Sequence, residues 1–155
     1  MAKQILKGFT MLALIVGLAF VSAVVSAKGQ STQAVAKVPF EFIVGDKTLP
    51  SGQYTVRAVS DTNKAALMIR GKSSAIRLTN EIQPNPNKTE ARLVFHRYGE
   101  RYFLSEVWMG GDSAGRHLLQ SGQERSIERE LASLGSRSKL AQNTYEVVEI
   151  VATLR

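Results

Sequence analysis

The sequence contains no cysteine and only two histidines, His96 and His117, among its 155 residues. The absence of thiols excludes disulfide bonds, thiolate metal sites, a cysteine nucleophile and the lipid-modified cysteine of a lipoprotein. The two histidines lie far apart in the sequence, without carboxylates at ligand spacing, and so do not predict a metal centre. We therefore expect neither a metal site nor a cofactor.

A strong bias in charge is also missing, because 20 lysines and arginines face 13 aspartates and glutamates, for a net charge of +7. With 44% hydrophobic residues, the composition is that of a globular chain rather than a disordered one. The length suffices for one domain with its own hydrophobic core.

Long hydrophobic runs are absent except at the N-terminus. Two lysines precede an uncharged apolar run at 9–25, and Val25-Ser26-Ala27 supplies the small residues that signal peptidase requires. Residues 1–27 are therefore predicted to be a signal peptide of an exported protein, periplasmic or extracellular. An uncleaved membrane anchor is the alternative, because the run reaches the lower length limit for spanning a bilayer. Cleavage leaves about 128 residues with a net charge of about +5, since two lysines are lost.

Residues 28–35 are polar at their start and are expected to form a flexible tether. From 36 to 155 the apolar residues mostly alternate with polar ones, and turn formers recur about every eight to twelve positions. This pattern predicts an all-β fold: a single antiparallel β-sandwich or flattened barrel of about seven or eight strands, with one short helix before the last strand.

Residues 92–98 and 101–109 are predicted to form a β-hairpin, because Gly99-Glu100 suits a two-residue type II′ turn. Continued without interruption, this pairing brings Leu93 opposite Glu106. It places Leu93 on one face with Phe95, Leu104, Glu106 and Trp108, and Val94 on the other with Phe103, Val107 and Met109. Both faces are apolar, which indicates a central hairpin covered on both sides. If Glu106 is buried it requires a partner, and an arginine is expected.

The hydrophobic period changes once, after Ser121. Ser121-x-x-Glu124 is a capping box, in which the serine hydroxyl accepts from the Glu124 amide and the glutamate returns to the Ser121 amide. Ile127, Leu131 and Leu134 then follow at helical spacing up to a terminating Gly135. The segment is predicted to be one amphipathic helix over 122–134.

Gly111-Asp112-Ser113-Ala114-Gly115 matches the G-x-S-x-G nucleophile elbow of esterases. An elbow serine needs an acid and then a histidine later in the chain, yet the only later histidine is His117, with no acid in between. The mature chain also lacks the βαβ alternation that such enzymes use. We interpret the segment as a glycine-rich β-turn and expect no catalytic residue there.

Arginines recur along the predicted strands, where they most simply solubilise an exposed sheet face and discourage edge pairing. Around the hairpin turn they stand beside aromatic rings, and Arg97, Tyr98, Arg101 and Tyr102 are a possible binding surface. Its possible partner is an anionic or carbohydrate surface polymer. An exported protein would not meet intracellular nucleic acid, and it would touch a membrane only through the signal segment before cleavage.

Residues 38–56 (VPFEFIVGDKTLPSGQYTV), 93–99 (LVFHRYG) and 102–108 (YFLSEVW) together resemble a family of small exported bacterial proteins. Its members share the patterns VPFxFxVGxKxLPAGxYxV and LVFHRYGxxYFLxxxW, and Ser51 stands where the family has alanine. The resemblance covers most of the chain after residue 27 and implies export and a compact β domain. It implies no activity, and no catalytic residue is carried over from it.

The sequence therefore favours a non-enzymatic exported protein, acting as a binding or envelope-associated structural module. One alternative is a β-barrel carrier of a small apolar ligand, suggested by the hairpin that is apolar on both faces. The other is a hydrolase that uses Glu106 with an arginine partner.

Overall fold

Strands make up more than half of the residues that the computed structural model describes, and one short helix precedes the last strands, as the sequence predicts. The described residues are 32–60, 62, 64–84, 89–111, 114–135 and 145–155. The expected signal peptide lies outside them, as does most of the expected tether. Within this described part of the chain, no helix is long and apolar enough to cross a membrane.

Eleven strands and one helix follow one another along the chain, and most of the strands are short. They are β1 Ala34–Val38, β2 Phe42–Val44, β3 Lys47–Leu49, β4 Gly52–Ala58, β5 Ala66–Arg70, β6 Ser74–Ile82, β7 Ala91–Tyr98, β8 Arg101–Met109, β9 Gly115–Leu118, α1 Gly122–Gly135, β10 Glu146–Val151 and β11 Thr153–Leu154.

The strands form one large sheet in the order β10-β7-β8-β9-β6-β5-β4-β1-β11, to which β2 and β3 are attached beside β8. The sheet is mixed rather than purely antiparallel, because Ile43 of β2 pairs in parallel with Phe103 of β8. It is not closed into a barrel, so the flattened-barrel alternative is wrong. The two ends of the strand order, β10 and β11, are consecutive pieces of the C-terminal segment that only Ala152 separates. This segment therefore lies along both β7 and β1.

The hydrophobic core lies on one side of the sheet, which we call the core-side face. Alternate residues of the central strands supply it, and its largest fully buried members are Tyr54, Phe42, Phe95, Leu49, Leu67, Ile69 and Leu93. Aromatic edges meet aromatic faces inside the core, as in the contact between Phe42 and Phe95 at 5.4 Å between ring centroids. Side chains thus fill the core-side face of the sheet.

Two boundaries differ from the sequence prediction. β1 begins at Ala34, inside the segment expected to be a tether, because Ala34 pairs with both Val56 and Leu154 and is fully buried. The alternating run around Phe40 is split into β1 and β2, since Pro39 has no amide hydrogen to donate to a ladder. The eleven strands, among them the short β3 and β9, exceed the expected seven or eight.

The helix α1 confirms its predicted start, and it includes Gly135, one residue beyond the predicted 122–134. The Glu124 amide donates to Ser121 Oγ at 3.0 Å, which is the first half of the capping box. Ile127 and Leu131 pack on a second apolar cluster, formed by Ile43, Tyr98 and Phe103. This cluster lies on the other side of the sheet from the main core, which we call the outer face. The helix therefore covers the outer face where β2, β7 and β8 meet.

The central hairpin has the predicted turn but not the whole predicted register. Tyr98 pairs with Arg101 across the two-residue turn, and Gly99 adopts a positive φ of 62°, which suits a type II′ turn. A bulge then occurs between Val94 and Phe95, so that Leu93 pairs with Val107 instead of Glu106. One inserted residue reverses the faces of every later side chain of β8 relative to β7.

Candidate functional site

The four residues of the surface expected at the hairpin turn are divided between the two faces of the sheet. Arg97 pairs with Tyr102, and both continue the core-side face beyond Phe95. Tyr98 and Arg101 pair on the outer face, where Tyr98 is only 6% exposed beneath α1, while Arg101 is exposed. The structure does not bring the four side chains together on one surface.

The pair on the core-side face is occupied by contacts within the protein. The ring of Phe40 stacks on Tyr102 with 3.9 Å between centroids, and the Arg97 guanidinium lies 5.4 Å from the centroid of the same ring. Arg97 also donates to Glu146 at 3.2 Å and to the Gly99 carbonyl at 2.8 Å. These contacts close the end of the sheet, and the Tyr102 ring is not a free platform for a sugar.

The bulge moves Glu106 to the outer face together with Trp108, Val94 and Arg92. The Trp108 indole donates to the Glu106 carboxylate at 2.8 Å, and the Arg92 guanidinium lies 4.7 Å from the centroid of the indole ring. The partner of Glu106 is therefore the Trp108 indole, whereas the sequence predicted an arginine. The Glu106 carboxylate is thus held by an indole, and the residue opposite it in the neighbouring strand β9 is His117.

The two histidines occupy separate positions on the outer face. His117 lies in β9, half-buried between Asn80 of β6 and Glu106 of β8. His96 is buried in β7. Among the described residues, no group of three or more histidine, aspartate or glutamate side chains is placed to hold a metal ion.

The most polar cluster of the interior lies where α1 meets β7. Nδ1 of His96 is 3.3 Å from Oε1 of Glu124, and the two side chains are 11% and 5% exposed. The Tyr145 ring stacks on the imidazole with 3.9 Å between centroids. The Glu124 carboxylate thus contacts His96 of the sheet, whereas the capping box predicted that it would contact the Ser121 amide.

Tyr98 completes this cluster on the sheet side. Burial raises the pKa of Tyr98, and the negative charge of the nearby Glu124 carboxylate raises it further. Chemically, a histidine beside a carboxylate is an acid–base pair, but a general acid or base must reach its substrate. The stacked ring of Tyr145 and the overlying helix shield His96, so we interpret the cluster as the polar anchor of α1.

The segment from 111 to 115 connects two antiparallel strands, β8 and β9. A nucleophile elbow requires a turn from a strand into a helix, so the topology agrees with the rejection of the esterase motif. Asp112 and Ser113 themselves lie outside the described residues.

The outer face of β4, β5 and β6 is where the chain departs most from a simple amphipathic pattern. Ile76 and Leu78 of β6 are 60% and 59% exposed, while Arg77 between them is half-buried on the core-side face opposite Leu67. Polar residues normally take the exposed side of such a strand. In β6 this order is inverted.

Neighbouring strands extend this row of apolar side chains. Met68 pairs with Ile76, Ala66 pairs with Leu78, and backbone bonds place Val59 beside Ala66 and Leu119 beside Leu78. We call this set the apolar patch: Val59, Ala66, Met68, Ile76, Leu78 and Leu119. Its large members are all at least partly exposed, and Arg57 borders it through a 3.8 Å contact with the Met68 sulfur.

Positive charge is concentrated around the same strands. Residues 47–80 contain six basic side chains, Lys47, Arg57, Lys64, Arg70, Lys72 and Arg77, against one acidic side chain, Asp61. The rest of the chain after residue 27 has equal numbers of basic and acidic residues, so this segment accounts for the whole net charge. The described ion pairs of basic side chains involve Arg92, His96, Arg97 and Arg116, all outside the segment.

Comparisons with models of known protein families, with curated proteins and with solved structures find no match to this chain.

Proposed function

We propose that this chain is an exported, non-enzymatic binding module that attaches to an anionic component of the cell envelope. The observation that carries the proposal is the concentration of the net charge in residues 47–80. A basic surface raises the local concentration of anionic partners and steers their association. The predicted signal peptide at 1–27 and the resemblance to a family of small exported proteins support the location.

The arrangement of polar groups favours binding over catalysis. The groups with acid–base chemistry, His96 and Glu124, are buried and hold α1, while Glu106 is bonded to an indole. In contrast, four of the six basic side chains of residues 47–80 are exposed, namely Lys47, Lys64, Arg70 and Lys72. Accessible chemistry on the described residues is thus electrostatic.

The test is retention on immobilised dextran sulfate compared with neutral dextran. Arg70→Gln with Lys72→Gln removes two exposed charges of the basic segment, and Arg101→Gln with Arg125→Gln removes two exposed charges elsewhere, which keeps the net charge matched. We expect the Arg70 and Lys72 variant to elute at clearly lower salt than the Arg101 and Arg125 variant, because each contact between a basic side chain and a sulfate group adds to the salt dependence of binding. Equal elution of the two variants would show that only net charge matters and would refute the proposed surface.

Export is tested separately by cell fractionation. The chain with Lys3 and Lys7 replaced by glutamate should remain in the cytoplasm, because the positive n-region is needed for translocation. A chain that stays in the cytoplasm without these substitutions would contradict the exported location.

A further inference from the structure

Exposed aliphatic side chains beside arginines require a more specific partner than a soluble polyanion. An isolated exposed leucine is ordinary, but a contiguous row such as the apolar patch marks an interaction surface. Ile76 and Leu78 are adjacent outward-facing residues of one strand, and their cross-strand neighbours, Met68 and Ala66, are apolar as well. The patch is therefore a continuous surface.

The orientation of β6 is fixed by contacts on its other side. Nε and Nη2 of Arg77 donate to the Leu119 carbonyl at 3.0 and 2.9 Å, and Nη2 also approaches the Gln120 carbonyl at 3.3 Å. Thr79, two residues on, is buried, and its hydroxyl donates to the Ala65 carbonyl at 3.2 Å. A shift by one residue would bury Ile76 and Leu78 but break these bonds. Exposure of the patch is thus built into the fold.

We propose that the outer face of β4–β6 docks on the anionic headgroup layer of a lipid bilayer. Ile76 and Leu78 enter the interface between headgroups and acyl chains, and Arg57 and Arg70, on the same face, contact lipid phosphates. Peripheral binding of this kind combines buried apolar area with attraction to anionic lipids. Each basic side chain near such a surface contributes about a fivefold gain in partitioning.

The chemistry of this face favours lipid over polysaccharide. Sugars are recognised by aromatic rings and hydrogen-bonding groups, and none of the described side chains that β4–β6 direct to the outer face is aromatic. Aliphatic side chains at the centre of a basic face gain nothing from a hydrated polymer, whereas acyl chains solvate them. This inference rests on the proposed function, because it names the anionic component that the module binds.

The experiment uses the unit Ser31–Arg155, which holds every described strand, the helix and both apolar clusters, so that the N-terminal apolar run does not contribute. Cosedimentation with vesicles of equal parts phosphatidylglycerol and phosphatidylcholine measures partitioning. Ile76→Ser with Leu78→Ser is compared with Val147→Ser and Val151→Ser, which remove two apolar side chains of β10 that are similarly exposed. Thermal unfolding shows whether each variant is folded.

We expect the Ile76 and Leu78 variant to lose at least about tenfold in partitioning, since two aliphatic side chains no longer enter the interface, while the β10 variant binds like the parent. The same variant should keep its retention on dextran sulfate. Vesicles of phosphatidylcholine alone should bind the parent weakly. This combination supports docking on an anionic bilayer.

Several results would overturn the inference. If the Ile76 and Leu78 variant binds vesicles like the parent, or loses vesicle and dextran sulfate binding equally, the patch does not enter a bilayer. If the parent binds dextran sulfate but not anionic vesicles, the partner is a polyanion, and the proposed function stands without the bilayer. If the parent binds neither probe, the proposed function fails as well.

Discussion

Arg77 connects the strand that carries the apolar patch to the segment that precedes α1, and its replacement by methionine tests how that strand is oriented. Arg77→Met keeps an unbranched side chain at the position opposite Leu67, but it removes every bond from the guanidinium to the Leu119 and Gln120 carbonyls. No large cavity is expected, because methionine fills irregular space.

The magnitude follows from these bonds. Two guanidinium nitrogens donate to the Leu119 carbonyl at 2.9 and 3.0 Å, and a hydrogen bond from a charged donor contributes about 1.5–3 kcal/mol when it is buried. Arg77 is half-buried, so water replaces part of the loss. We therefore expect the free energy of unfolding to fall by about 2 kcal/mol, and the melting temperature by about 8 °C for a domain of this size.

Urea unfolding followed by circular dichroism measures this loss, and Arg70→Met is the matched control. Arg70 belongs to the neighbouring strand and is exposed, so its replacement should change the free energy of unfolding by no more than about 0.5 kcal/mol. Arg77→Lys should recover only part of the stability, because an ammonium group lacks the planar fork of a guanidinium. If Arg77→Met costs no more than Arg70→Met, the bonds to the two carbonyls do not hold β6, and the account of the inverted strand is refuted.

Three further changes test the interior. Burial and Glu124 raise the pKa of Tyr98, so the protonated phenol stabilises the fold below pH 10, its ordinary pKa, and this contribution is lost as pH rises above that value. Denaturant titrations from neutral to alkaline pH should therefore show a smaller decline in the free energy of unfolding for Tyr98→Phe than for the parent. Equal declines would contradict the assignment. Ser105 is buried, and its hydroxyl has no hydrogen-bond partner within the described structure. Ser105→Ala should therefore leave the protein's stability unchanged or raise it by about 1 kcal/mol in urea unfolding. A clear loss of stability would show that the hydroxyl does form a hydrogen bond. A Cβ on Gly71 would lie 2.6 Å from the Gln53 carbonyl oxygen, so Gly71→Ala should lower the free energy of unfolding by about 2 kcal/mol or more, as measured by thermal unfolding. Gly122→Ala is the control and should change it little, because no atom lies within 4 Å of a Cβ there. Similar losses for the two variants would refute the close approach.

The elements that the sequence predicts well are those whose signals are local. The turn at Gly99 and the cap at Ser121 each depend on residues a few positions apart, and both are found where expected. The bulge between Val94 and Phe95 has no such signal, since apolar residues occupy both faces of β8 and fit either register. Its consequence is large, because it gives Glu106 an indole partner.

The candidate surface shows the same distinction between local and distant information. Arg97 and Tyr98 are neighbours in sequence, and the period of a strand alone sends them to opposite faces. Counting charges in windows would have found the basic segment at 47–80 from the sequence. The exposure of Ile76 and Leu78 could not be found in this way, because it depends on carbonyl groups at 119 and 120 that only the fold brings to Arg77.

The two halves of the outer face carry different side chains, and this difference explains why α1 covers one half and leaves the other exposed. At β7 and β8 the outer face carries polar His96 and the cluster that contains Tyr98. The helix α1 places Glu124 against His96 and packs Ile127 and Leu131 on that cluster, so both polar and apolar groups have partners within the chain. At β4–β6 the sheet offers aliphatic side chains and arginines, and the described part of the chain leaves them exposed. Stability alone would favour polar residues at 76 and 78, since exposed aliphatic groups contribute little to folding and promote association. A face that departs from this expectation while its strand is held in place by Arg77 is best explained by a partner that supplies both anions and apolar contact.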